Sequence, residues 1–231
     1  MGDAGDADAG LGLVLATTFE LALITTILLV VLAMPLAWWL ARSRRWWKEI
    51  IGALAAVPLV LPPTVIGFYL LIALGPKSPL MALFAPFGVR TLAFTFTGLV
   101  IGSLFYSLPF AVQPLRTAFE AVPERVLEAA ATMGAGRLDR VLTVAAPIAR
   151  RGFVSAAILV FAHTVGEFGV VLMIGGSIPG QTEVLSTRIY SLVESLNFGA
   201  ANRIAAGLAA FAFVALLALL LVERRIGEMR P

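Results

Sequence analysis

Apolar residues come in five long blocks, residues 17–41, 50–74, 91–112, 152–174 and 204–222, with polar stretches between them. Each block is close to or beyond the roughly 20 residues that an α-helix needs to cross a hydrocarbon core. The pattern predicts an all-α polytopic membrane protein with five transmembrane helices, in one domain spanning residues 1–231. Residues 1–12, small and acidic at their start, are expected to form a disordered extracytoplasmic tail. Leu185, Ile189, Leu192 and Leu196 recur at i, i+4, i+7 and i+11 in the loop after the fourth block, which predicts a short amphipathic helix.

The blocks are not uniform. Pro35 should kink the first, and Trp38, Trp39, Trp46 and Trp47 form an aromatic belt at its end. Pro58, Pro62 and Pro63 fall within the second and should break it, because proline removes a donor and clashes with the preceding turn. A broken helix at membrane depth persists only where protein or a water-filled cavity covers it. Pro62, Pro63 and Thr64 are therefore candidate pathway residues, with a kink filled by a neighbouring helix as the alternative. The third block carries Ser103, Tyr106, Ser107 and Pro109, and the fourth carries His163 and Glu167.

Composition agrees: 60% of residues are hydrophobic and only 13% charged. The charges also have a direction. Arg42, Arg44, Arg45 and Lys48 lie on one side with Arg116, Arg125, Arg137, Arg140, Arg150, Arg151, Arg224, Arg225 and Arg230. Lys77, Arg90, Arg188 and Arg203 lie on the other. Thirteen against four places the 113–151 stretch and the C-terminus in the cytoplasm and the N-terminus outside. Topology thus accounts for the high pI without a nucleic-acid partner. The absence of cysteine removes disulfides, thiolate metal sites and cysteine nucleophiles.

The cytoplasmic stretch predicts two short helices and a tight turn. Pro123 can open the first, and Gly134 and Gly136 can supply a left-handed stop near Met133. A second helix from Arg137 would align Leu138, Val141, Leu142 and Ala145 in an apolar ridge suited to a groove on a partner. The run Glu128-Ala129-Ala130, then Gly134-Ala135, then Val144, Ala146 and Pro147 resembles the EAA loop of bacterial ABC-importer permeases, with Val144 and Ala146 where the family pattern has Ile and Leu. Within that family the chain is most similar to molybdate permeases. The residues that carry this are Pro58 through Gly67, Ser107-Leu108-Pro109-Phe110, Gly166-Glu167-Phe168-Gly169, and Ile178-Pro179-Gly180 with Thr182.

The resemblance implies a type I importer permease fold in the bacterial inner membrane, working as a homodimer with the path between protomers. It also implies two cytoplasmic ATPase subunits, docked on residues 123–147, and a periplasmic oxyanion-binding protein. No cofactor is expected on this chain: there is no Gly-x4-Gly-Lys-Ser/Thr loop, so ATP and Mg2+ would be used by the partner. Tungstate and sulfate or thiosulfate are the alternative cargoes.

Glu167 is the sharpest single residue, since a carboxylate inside a span costs roughly 2.5–3.5 kcal/mol on insertion scales. It would repel a dianion, so anchoring backbone at a helix bend suits it better than binding cargo. Phe168 beside it is a gate candidate, Ser107 a lining candidate, and His163 a packed histidine within reach of Glu167. The spans hold no arginine cluster, which suits a path that must release its cargo. An intramembrane hydrolase would need His163 to meet Ser103, Ser107 or Ser155, and none of these lies in a Gly-x-Ser-x-Gly elbow. A purely structural or receptor subunit would leave the cytoplasmic loop without a role.

Overall fold

The computed structural model describes residues 3–227. The described residues are helical without strands: α1 (Asp3–Arg42), α2 (Lys48–Ala56), α3 (Pro63–Leu74), α4 (Pro79–Phe84), α5 (Phe96–Glu120) and α6 (Glu124–Thr132). They continue with α7 (Arg137–Asp139), a π-helical segment (Arg140–Ala145), α8 (Ala146–Ile148), α9 (Arg150–Gly166), α10 (Gly169–Gly175), α11 (Leu185–Glu194) and α12 (Phe198–Gly227). Among the described residues, four helical stretches are long and apolar enough to cross a membrane, or five if the pair bent by 74° around Ala149 counts as one span.

α1, α5 and α9 form the central bundle. Leu40, Leu115, Phe119, Ala156 and Val160 close its core on the side of the 113–151 stretch. Phe119 is fully buried, with Trp38 and Phe153 edge-on at 5.3 and 5.8 Å. Gly152 lets α9 approach α5, because a Cβ there would lie 2.4 Å from Ala118 Cβ. α3 packs on α10 at one flank, and α12 packs on α9 and α11 at the other.

Several boundaries differ from expectation. Residues 3–12, expected to be a disordered tail, continue α1, since extending an existing helix is far easier than nucleating one. Met1 and Gly2 of that tail and Arg230 of the basic C-terminus lie outside the described residues. α1 runs through Pro35 without interruption. The third span starts later, where Thr95 Oγ1 caps the helix by accepting from Gly98 N at 3.1 Å. It then runs on to Glu120, where Arg116 pairs with Glu120 at 2.8 Å.

The second span breaks where proline predicts. α2 tightens into a 3-10 turn over Val57–Leu59, and α3 restarts at Pro63. The fourth block is also broken, between α9 and α10, where Glu167 adopts an extended backbone. The loop helix α11 forms, held to α1 by Leu185 N donating to Thr18 Oγ1 at 2.9 Å.

Candidate coupling loop and pathway

α6 begins with Pro123 as its N-cap and ends at a glycine. Gly134 has φ +90°, a region that L side chains avoid. Gly134 N donates to Ala131 O and Ala135 N to Ala130 O, both at 3.0 Å, which closes a Schellman motif. The Gly134-Ala135 spacing after Glu128-Ala129-Ala130 is therefore a helix stop. Gly136 has φ −65° in extended backbone, so the left-handed role falls on Gly134 alone.

The second half is not the regular helix that the ridge assumed. Arg140–Ala145 is π-helical, which widens the turn and shifts the side-chain faces. Val141 and Ala145 turn inward and are buried, with Ala130 and Leu127 of α6 buried beside this segment. Leu138 (70% exposed), Leu142 and Met133 stay outside. The expectation that the whole ridge is free is thus corrected for Val141 and Ala145. Glu128, Ala129 and Pro147 are exposed, Ala135 and Val144 partly so, and Ala130 is buried.

Arg42 fixes this loop to the bundle. Its Nη2 donates to Phe119 O at 2.8 Å and Val122 O at 2.6 Å, and its Nη1 to Glu124 Oε2 at 3.1 Å. It also lies over the Trp38 ring at 5.4 Å. Sequence reasoning counted Arg42 only as a topology charge, since nothing in its neighbourhood names carbonyls about 80 positions away.

The two span breaks lie against each other. A Cβ on Gly169 would meet Pro63 Cβ at 2.7 Å, and one on Gly67 would meet Met173 Cβ at 2.7 Å. Glycine thus lets the start of α10 seat directly on the start of α3. Pro63, Thr64 and the Phe168 turn come together here, with Pro62, Thr64 and Phe168 exposed. Phe168 packs on Tyr190 of α11 at 5.3 Å between ring centres.

Ser107 and Glu167 do not join them. Ser107 is fully buried, and its Oγ lies 3.0 Å from His163 Nδ1 and 3.2 Å from Thr164 Oγ1. It clamps α5 to α9 and lies away from the exposed residues at the two breaks. His163 is a packed histidine, stacked on Phe110 at 4.0 Å. The Ser107–His163 contact joins α5 to α9, with His163 half-buried between the Phe110 and Tyr106 rings. Glu167 is 3% exposed and points into the bundle, which removes its side chain from the exposed face of Phe168. Its carboxylate makes no hydrogen bond to His163, and Ser186 Oγ donates to its backbone carbonyl. Its backbone is the bend.

Residues 33–227 match the family described as the binding-protein-dependent transport system inner membrane component. The chain belongs to this family. It is 56% identical over 202 residues to the molybdenum transport system permease protein of Azotobacter vinelandii, covering 87% of this chain and 89% of that one. It is 34% identical over 160 residues to the corresponding protein of Escherichia coli (strain K12), 69% of each chain. The fold matches a bacterial ABC transporter involved in alginate import, with TM-score 0.71 at 16% identity over 96% of this chain and 80% of that one. The permease is therefore a multi-pass transport subunit of an ABC importer, and the Gly134 turn lies within its family-matched region.

Proposed function

We propose that this permease forms, as a homodimer, the translocation path of an ATP-driven importer for molybdate. The 56% identity to a molybdenum permease, running through nearly all of the chain, carries this reading. Two cytoplasmic ATPase subunits bind ATP and Mg2+, and a periplasmic binding protein delivers the oxyanion. The charge distribution supports a cytoplasmic C-terminus and an N-terminus outside.

The ATPase docks on the exposed residues of the 123–147 loop, among them Ala129, Leu138 and Leu142. Behind them, Leu127 and Ala145 share one core with Leu115 and Phe119 of α5, which ties the loop to the end of that helix. Pro62, Pro63, Thr64 and Phe168 face the path where the two breaks meet. Cargo passes there without a fixed cation, so selectivity rests with the binding protein.

ATP-dependent uptake of labelled molybdate in proteoliposomes, with the cognate ATPase and binding protein, tests this. Competition by tungstate and not by sulfate is the expected result. Equal competition by sulfate moves the cargo to the sulfate class, and no uptake of any oxyanion by an assembled complex overturns the reading.

A further inference from the structure

At the end of the molecule away from the 123–148 loop, a cleft of about 550 Å³ opens between α1, α11 and α12. Its volume falls in the roughly 300–1,000 Å³ range of small-molecule sites. The wall on α1 is Leu11, Leu15 and Phe19, spaced by four residues so that all share one face. Leu208 and Phe211 line it from α12, and Val165 of α9 lines it as well. Most of this lining lies on α1 and α12, two helices long and apolar enough to cross a membrane.

Two cations line the same cleft, Arg188 of α11 and Arg203 of α12. Arg188 Nη1 donates to the buried Glu183 at 3.2 Å. Arg203 is exposed and has no ion-pair partner among the described residues. It lies two turns before Phe211, roughly 12 Å along the helix, so charge and apolar depth are separated along one axis. The pair Glu183–Arg188 is neutral, which leaves the cleft one net positive charge from Arg203.

We infer that this cleft is a binding site for an anionic phospholipid, its phosphate held by Arg203 and Arg188 and an acyl chain lying along Leu11, Leu15 and Phe211. A zwitterionic lipid could fill the apolar part, but its headgroup carries a cation that the net positive charge of Arg203 opposes. The inference does not depend on which oxyanion the permease carries. It assigns α12, which leaves most of its surface uncovered by the chain, a neighbour other than bulk lipid along this side.

Native mass spectrometry of the full-length permease in detergent tests it, with phosphatidylglycerol and phosphatidylcholine offered separately. Phosphatidylglycerol is retained in preference, and Arg203→Gln lowers that retention roughly fivefold, as expected for one guanidinium near a phosphate. Arg203 is exposed and unpaired, so the variant folds. Gly207→Leu is the second variant. Gly207 lines the cleft, and a Cβ there meets nothing within 4 Å, so the new side chain fills the cleft without displacing the fold. It lowers retention of phosphatidylglycerol with an unchanged melting temperature. Equal retention of the two lipids, or retention untouched by both variants, overturns the site. Displacement of the lipid by millimolar phosphate or molybdate also overturns it, because the arginines would then serve a free oxyanion. Loss of the dimer in Gly207→Leu would assign the cleft to a second copy of the chain and overturn it equally.

Discussion

Arg42 and Glu124, 82 positions apart, meet at 3.1 Å where the first helix ends and the loop after α5 begins. The ion pair is the weaker part of that junction. Glu124 is largely exposed, whereas the two carbonyls that Arg42 also holds, Phe119 and Val122, depend on the planar fork of a guanidinium. Arg42→Ala is expected to cost about 2 kcal/mol. Glu124→Ala is expected to cost below about 1 kcal/mol. Arg42→Lys should not restore the difference. Thermal unfolding of the detergent-solubilised variants measures all three.

The two glycines of the loop should separate cleanly. Gly134→Ala places a side chain at φ +90° and should strain the helix stop by about 1 kcal/mol, while Gly136→Ala, at φ −65° in open space, should be near neutral. In ATP-dependent uptake Gly134→Asp is expected to abolish transport with insertion intact, and Gly136→Ala to transport normally. Uptake surviving in Gly134→Asp would remove the loop from the coupling route.

Gly169→Val should wedge α10 away from α3, because its Cβ would meet Pro63 Cβ at 2.7 Å. Overpacking of this kind costs about 1–3 kcal/mol. Gly166→Ala, three residues earlier and facing nothing within 4 Å, is the matched control and should leave the melting temperature within a degree or so of wild type.

Ser107→Ala removes the hydroxyl shared by His163 and Thr164. It should lower stability by roughly 1–3 kcal/mol, since buried polar partners lose a bond. The ratio of tungstate to sulfate competition should stay unchanged. A shift in that ratio would return Ser107 to the pathway.

Much of this architecture was legible in the chain, and the physical reasons differ from element to element. The break before Pro63 and the stop at Gly134 come from backbone chemistry that one residue type dictates, so they could be read locally. The amphipathic period of Leu185, Ile189 and Leu192 placed α11 for the same reason, while Leu196, the fourth of that set, lies past its end in left-handed backbone and is exposed. The break at Glu167–Phe168 was harder: no proline marks it, only the glycines on either side, and it is stabilised by the neighbouring α3 and by Ser186. The inward turn of Val141 was not readable at all, because an i, i+3, i+4 rule assumes 3.6 residues per turn and the chain is π-helical there. Arg42 and the Ser107–His163 clamp are contacts between distant segments, which no local pattern encodes.

The length of α1 has a further mechanical consequence. Its 40 residues make a rod of about 60 Å, twice the thickness of the hydrocarbon layer. One end is tied by Arg42 to the loop, and the other forms a wall of the cleft beside Arg203 through Leu11, Leu15 and Phe19. Tilting such a helix would displace both ends together, so a change at the Arg42 junction is expected to be read out at the Arg203 cleft.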